Sequence, residues 1–242
     1  MTMPPTPAPD APVDVVCFDL DDTLCEYPRA YATHLAEAFD AAGVDPFFDP
    51  VDVRRHAGDV RAETPLEFRR QCFTAIAHEQ GRDAGVAIAV AEAFAEPAYA
   101  DVVPRPGAER AVRTLGEHYT LALVTNTTPA AMDTKLDAIG LTDAFAVRVA
   151  QDPTVDPKPE PDMFDRALDS LGVDPHRAVH VGNSTVSDVA GAHAAGLRSV
   201  WIPTDTDGGT GPDPTYHVED LDTLADTPPW AVDYPSQSAN SP

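Results

Sequence analysis

The sequence predicts an α/β fold, a parallel sheet with helices on both faces, interrupted after its first strand by an inserted α-helical domain. Three observations carry this. Val13-Asp14-Val15-Val16-Cys17-Phe18 is a β-branched apolar run that stops at Asp19, the profile of a strand buried on both faces. From Ala108 onward, short apolar runs alternate with helical stretches, the pattern of βαβ units and a parallel sheet. Between the two, residues 27–99 show helical spacing with no strand-like alternation.

Within that insertion, Tyr31, Leu35, Ala38 and Phe39 share one helix face, with Gly43 beyond its end. Thr64-Pro65 opens a second helix, with Glu67 at its third position and an apolar face of Leu66, Phe68, Cys72, Phe73 and Ile76. Residues 86–95 form another before Pro97. After Pro104-Arg105-Pro106-Gly107, residues 108–117 read as helix and 119–124 as a strand ending at Thr125-Asn126. A helix over 130–139, a strand over 144–149 and a helix over 161–171 follow. Residues 178–181 form a strand ending in Gly182-Asn183-Ser184, then 186–195 a helix and 198–202 a strand. Right-handed crossovers place the helices on both faces. The expected organisation is a core of residues 13–26 and 100–224, a helical insertion of residues 27–99, and flexible Pro-rich tails at 1–12 and 225–242.

Composition narrows the function. The 242 residues are 43% hydrophobic, which excludes wholesale disorder. No apolar run approaches the ~18–20 residues of a membrane span, so no membrane partner is expected. Forty Asp+Glu against 16 Lys+Arg give a net charge of −24, and only two of the cations, Lys135 and Lys158, are lysines. The acids are mostly Asp and are spread along the whole chain. That reads as a solvated acidic surface whose self-repulsion salt must screen, an adaptation to a salt-rich cytoplasm as in halophiles; an acidic mesophilic protein is the plainer alternative. Clustered Lys/Arg is absent, so no nucleic acid partner is expected. Cys17, Cys25 and Cys72 are too few for a disulfide framework, and residues 1–12 lack a secretory pattern, so a reduced, cytoplasmic protein is expected.

Ligands of open parallel sheets sit at the carboxyl ends of the strands. Here those ends carry Asp19 and Asp21, then Thr125 and Asn126, with Lys158 in the connection after the third strand and Asp188 after the fourth. Asp19 and Asp21, two residues apart in extended chain, point to the same side. With Asp188 they cannot all stay ionised without a shared proton or a divalent cation, and hard oxygen donors suit Mg²⁺. One carboxylate can attack an electrophile while the other handles protons. Lys158 lies in Asp156-Pro157-Lys158-Pro159-Glu160-Pro161, where prolines stiffen its placement, and its ammonium suits a phosphoryl group.

Asp-Leu-Asp-Asp-Thr-Leu, Val-Thr-Asn, Lys-Pro-Glu-Pro-Asp-Met-Phe and His-Val-Gly-Asn-Ser-x-x-x-Asp, in that order, resemble the four motifs of the haloacid dehalogenase-like (HAD) hydrolases. The resemblance spans residues 13–224 and implies a Rossmann-like core with an α-helical cap of the C1 type. It implies a Mg²⁺-dependent phosphatase acting on a small-molecule phosphate ester through an aspartyl-phosphate. Asp19 would be the nucleophile and a metal ligand. Asp21 would be the general acid and then base, with its backbone carbonyl on the metal. Thr125 and the Asn126 backbone would bind phosphoryl oxygens, Lys158 would neutralise charge, and Asp188 would anchor Mg²⁺. The family usually has Asp directly after the fourth-motif Gly; here it is Asn183, which offers the metal a neutral oxygen and implies weaker binding. Ser187 is a candidate compensating oxygen. A 2-haloacid dehalogenase, which needs no Mg²⁺ but lacks the second acid of the first motif, is the alternative enzyme. A non-catalytic binding protein on the same fold is the alternative from another class.

Other candidates read as structural. Lys135, on an expected helix, reads as a surface lysine. His176 and His180 lie in a turn and a strand, so helical metal-ligand spacing does not apply. Cys17 reads as packing, Cys25 lacks a base, and Gly208-Gly209-Thr210-Gly211 reads as a linker. Of Arg29, Arg54, Arg55, Arg69 and Arg70 in the insertion, one or two are expected to face the cleft and contact substrate.

Overall fold

The computed structural model describes residues 12–62, 64–94, 101–204 and 209–232. The expected tails at 1–11 and 233–242, the end of the insertion at 95–99 and Gly208 lie outside the described residues. The strands are β1 (Val15–Phe18), β2 (Cys25–Glu26), β3 (Val103–Pro104), β4 (Thr120–Thr125), β5 (Val147–Ala150), β6 (Ala178–Gly182), β7 (Arg198–Trp201) and β8 (Tyr216–His217). Six of them form one sheet in the order β5-β4-β1-β6-β7-β8, every neighbouring pair parallel. The chain runs outward from β1 through β4 to β5, then returns to build β6 on the other side of β1. That reversal opens a crevice at the carboxyl ends of the central strands, where α/β proteins bind ligands.

Alternation along the buried strands divides the core into two layers. Val16 and Phe18 of β1 join Leu121, Leu123, Val179 and Val181 beneath α5 (Ala108–Gly116) and α6 (Pro129–Ala138). Val15, Cys17, Ala122 and Val124 face α7 (Asp162–Leu171) and α8 (Ala190–Ala194). Fully burying a side chain such as Phe18 or Leu123 contributes about 1.5–3 kcal/mol.

The insertion carries a separate apolar core. Helices α1 (Tyr31–Ala42), α2 (Pro50–Ala57), α3 (Pro65–Glu79) and α4 (Ala84–Ala93) bury Leu35, Phe39, Phe48, Phe73, Ile76 and Val90 together. The Thr64 hydroxyl caps α3 by accepting from Glu67 N at 3.2 Å, and left-handed Gly43 ends α1, both as the sequence implies. Helix α2 has no long apolar face to betray it. It is set by a capping box in which Asp49 Oδ1 accepts from Val51 N and Asp52 N, while Asp52 accepts from Asp49 N at 3.1 Å.

Two local expectations are corrected, and one unanticipated pairing is added. The C-terminal tail does not begin at residue 225. Helices α9 (Leu221–Asp226) and α10 (Pro229–Val232) follow β8, and Trp230 is buried against Tyr119, ring centroids 5.8 Å apart. Trp230, with buried Leu221, Leu224 and Ala225 of α9, outweighs the Pro/Asp-rich composition around it. The helix expected over 186–195 opens as a π-helical turn, Thr185–Val189, before α8. The strands β2 and β3, two residues each, pair antiparallel where the chain leaves and re-enters the core. Among the described residues no helix is long and apolar enough to cross a membrane.

Candidate active site

The loop after β1 is wound tightly. The Leu20 carbonyl accepts from the amides of Thr23, Leu24 and Cys25, and Asp22 N donates to Cys25 O at 2.8 Å. Asp22 adopts φ 57°, a left-handed conformation that Asp tolerates better than most residues. This winding presents Asp19 and Asp21 at the mouth of the sheet. They line one cavity of about 400 Å³ with Thr125, Asn126, Lys158, Asn183 and Asp188, so all seven residues singled out from the sequence meet there, and Ser187 with them. The opposite wall is the insertion's Arg54 and Ala57 from α2 and Pro65 and Phe68 from α3.

Lys158 organises the floor. Its buried ammonium donates to Asp19 Oδ1 at 2.7 Å, Asp188 Oδ1 at 2.7 Å and Val124 O at 2.8 Å, which uses all three protons. The Asn126 side chain fixes its backbone, accepting from Lys158 N and donating to Lys158 O, each at 2.8 Å. Sequence reasoning gave Asn126 only a backbone role; its carboxamide is the clamp that holds the lysine loop. Thr125 Oγ1 accepts from Thr127 N at 3.2 Å, leaving the hydroxyl proton available to an incoming oxygen.

Burial lifts the Asp19 carboxyl to about 7 even with Lys158 beside it, and facing Asp188 adds to the rise. Burial would raise Asp188 too, but Lys158 and His180 more than offset it and hold that carboxyl well below the usual range. Asp188 is further fixed by Ser184 N, which donates to Oδ2 at 3.0 Å across the π-helical turn. Gly182 makes room for it, since a Cβ there would lie 2.3 Å from Asp188 Cγ. π-Turns of this kind recur at functional sites because the extra residue re-aims a side chain.

Two residues set aside as structural turn out to support the site. Lys135 is not a surface lysine: α6 packs it inward, 2% exposed, with Nζ 2.6 Å from Asp21 Oδ1, 3.3 Å from Thr127 Oγ1 and 5.4 Å from the Tyr27 ring centre. Burial works against its charge, and the Asp21 carboxylate overrides that and raises its pKa above the ordinary lysine value. The available signal was rarity: of the chain's two lysines, one lines this cavity and the other bonds a residue that does. His180 is fully buried on β6, with Nε2 3.0 Å from Asp188 Oδ1. Burial lowers its pKa, so it is a neutral imidazole orienting Asp188. Thr23 Oγ1 lies 3.2 Å from Asp19 Oδ2 and 3.3 Å from Asn183 Oδ1, so its single proton can serve either. Cys25 is buried with its thiol pKa pushed up by that burial, and it is no nucleophile.

A parallel sheet with a switch-point crevice, a carboxylate pair just beyond the first strand and a buried lysine between carboxylates define a hydrolase of a single large class. A haloacid dehalogenase-like hydrolase family model matches residues 13–196, and the chain belongs to that family. It is 30% identical over 200 residues to the ribulose-1,5-bisphosphate 5-phosphatase of Halopiger xanaduensis, covering 76% of this chain and 82% of that protein. It is also 30% identical over 220 residues to the phosphoserine phosphatase of Thermus thermophilus, covering 78% and 88%. The HAD-hydrolase YfnB of Bacillus subtilis bound to magnesium superposes with a TM-score of 0.67 at 22% identity, covering 88% of this chain and 97% of that one.

Proposed function

We propose that the protein is a Mg²⁺-dependent phosphomonoester hydrolase that acts on a small organic phosphate through an aspartyl-phosphate. The observation that carries this is the buried Asp19–Lys158–Asp188 bridge at the carboxyl end of the sheet, opening on a cavity that also holds Asp21 and Thr125. The phosphatase relatives support the same chemistry.

Asp19 attacks phosphorus, and the bond to the ester oxygen breaks. Asp21 delivers a proton to the departing alkoxide, then takes one from the water that cleaves the aspartyl-phosphate, releasing inorganic phosphate and restoring Asp19. Thr125 donates its free hydroxyl proton to a phosphoryl oxygen, and Lys158 exchanges one of its bonds for the developing equatorial charge. Lys135 keeps the Asp21 carboxyl aimed at the leaving oxygen. The insertion walls excludes water while the acyl phosphate exists. An oxygen leaving group needs a proton and a departing halide does not, so the presence of a second acid, Asp21, in the cavity favours phosphoester over haloacid chemistry.

The donor set fits magnesium. Asp19, Asp188, the Asn183 carboxamide and the Asp21 backbone carbonyl are all hard oxygens, and Asp19 Oδ2 faces only the Thr23 hydroxyl, at 3.2 Å, among the described residues. Only two of these are side-chain carboxylates, and among the described residues no three Asp, Glu, His or Cys side chains gather as a metal group, so Asn183 leaves the set one charge short of the family pattern. Bound there, magnesium supplies Lewis-acid charge stabilisation to the phosphoryl oxygens. The test is phosphate release from p-nitrophenyl phosphate in ~2 M KCl with Mg²⁺ and then with EDTA. Turnover that EDTA abolishes is expected. No turnover by folded protein would overturn the assignment, and an undiminished rate in EDTA would remove the metal from it.

A further inference from the structure

The chemistry above describes one end of the substrate; the arginines of the insertion describe the other. Arg29 pairs with Glu37, Arg55 lies 3.2 Å from Asp52, and Arg70 lies 2.6 Å from Glu92. Arg69 is buried, donating to Ala91 O at 3.2 Å with its guanidinium 5.0 Å from the Phe94 ring centre. Arg54 differs: among the described residues it has no carboxylate or carbonyl partner, yet it lines the cavity that holds Asp19 and Lys158. It stands on α2 one turn before Ala57, whose methyl, with Pro65 and Phe68, makes the rest of that wall apolar. Among the described residues, Arg54 is therefore the single cation of the insertion that lines this cavity.

A second observation extends this. An adjoining cavity of about 240 Å³ shares Asp22 and Arg54 with the first, and on its wall the buried His34 keeps an Nε2 with no hydrogen-bond partner. A buried imidazole nitrogen without a partner marks where a ligand's distal group would bond, since buried polar atoms otherwise find partners, and Arg54, solvent-exposed and lining both cavities, supplies the charge. A guanidinium presents a planar fork that takes a carboxylate or phosphate through two parallel bonds.

We propose that the substrate is a small phosphate monoester carrying a second oxyanion, a carboxylate or another phosphate, which Arg54 receives while Asp19 and Lys158 hold the reacting phosphoryl group. This rests on the phosphatase assignment made above. A cavity of about 400 Å³ suits a substrate of a few carbons between the two anions.

Three non-hydrolysable probes of matched length test it by titration calorimetry in Mg²⁺ and molar KCl: 3-phosphonopropanoate, propane-1,3-bisphosphonate and 3-hydroxypropylphosphonate. The wild-type protein binds at least one dianionic probe about tenfold or more tightly than the hydroxyl probe. That preference falls to about twofold or less in Arg54→Gln and is partly kept in Arg54→Lys, which retains charge without the fork. Whichever dianionic probe binds tighter assigns carboxylate or phosphate. Equal binding of all three by the wild type overturns the proposal, and so does a preference that survives in Arg54→Gln. The probes are not turned over, so failure of the phosphatase assignment would show separately, as wild-type protein inert toward p-nitrophenyl phosphate.

Discussion

Replacing Lys158 by methionine keeps most of the side-chain volume and removes the charge that joins Asp19 to Asp188, both at 2.7 Å. Breaking one side of a buried ion pair costs about 3–5 kcal/mol, because the remaining charge stays buried without compensation. Domains are stable by only about 5–15 kcal/mol, so the change is large. Its pH dependence is also fixed. The Asp19 carboxyl is raised to about 7, against an unfolded value of 3.8, so its contribution is fully present below the unfolded value and is lost as pH rises through 7. Without Lys158 the folded value lies higher still. The decline then continues past 7 at up to about 1.4 kcal/mol per pH unit, where the wild type has already levelled off. Urea unfolding in molar KCl, followed by the fluorescence of Trp201 and buried Trp230, measures both terms near pH ~6 and ~8.5. The destabilisation of Lys158→Met is expected to grow between these two values. In Asp19→Asn/Lys158→Met, where position 19 cannot titrate, the growth disappears. A loss below about 1 kcal/mol, or one that does not change with pH, would refute the account of Lys158 as the bridge between two buried carboxyls.

Three further outcomes follow from the same geometry. If Mg²⁺ binds the ionised Asp19, its binding near pH ~6 releases close to one proton and near ~8.5 almost none, measured by calorimetry in buffers of different ionisation enthalpy; equal release at both would count against Asp19 as a ligand. Asn183→Asp restores a charge to the oxygen set and lowers the Mg²⁺ concentration for half-maximal activity by about tenfold, read from a metal titration; no change would show that position 183 does not face the ion. Lys135→Met lowers hydrolysis of alkyl phosphates by about 10²-fold and that of p-nitrophenyl phosphate by much less, because a nitrophenolate leaves without a proton. Equal losses on both would mean that Lys135 holds the fold and not the aim of Asp21.

The fold was legible where local pattern and tertiary role coincide. β1 is an uninterrupted buried run, and the Asp19-Leu20-Asp21 loop follows it directly, so one stretch of sequence announced both strand and site. Thr125, Lys158 and Asp188 were legible for the same reason, each standing at or just beyond a strand end. Lys135 was not, because a lysine on a helix gives no local sign of facing inward; only the packing of α6 against Asp21 and Tyr27 makes it a buried partner. His180 shows the same limit, since its partner Asp188 arrives through a π-turn whose register no helical periodicity anticipates. Helix α2 has Val53 as its single buried residue, so its apolar signal was too thin to read, and Arg54 could not be told from its neighbours until that helix was placed. The C-terminal helices were hidden by composition, their attachment resting on a few apolar residues, Leu221, Leu224, Ala225 and Trp230.

The antiparallel pairing of β2 with β3 has a consequence for descent. Glu26 faces Val103 and Cys25 faces Pro104, so the polypeptide departs from the core and returns to it at one spot, with the two crossing segments already bonded to each other. Nothing in the register of β1 with β4 and β6 depends on what is carried between those crossings. A hairpin of about two to five residues closes the same pair as well as a full set of helices does. Recombination can therefore exchange the intervening segment as one contiguous piece of a gene, bringing in a new Arg54 equivalent, or none, while Asp19, Lys158 and Asp188 are inherited untouched.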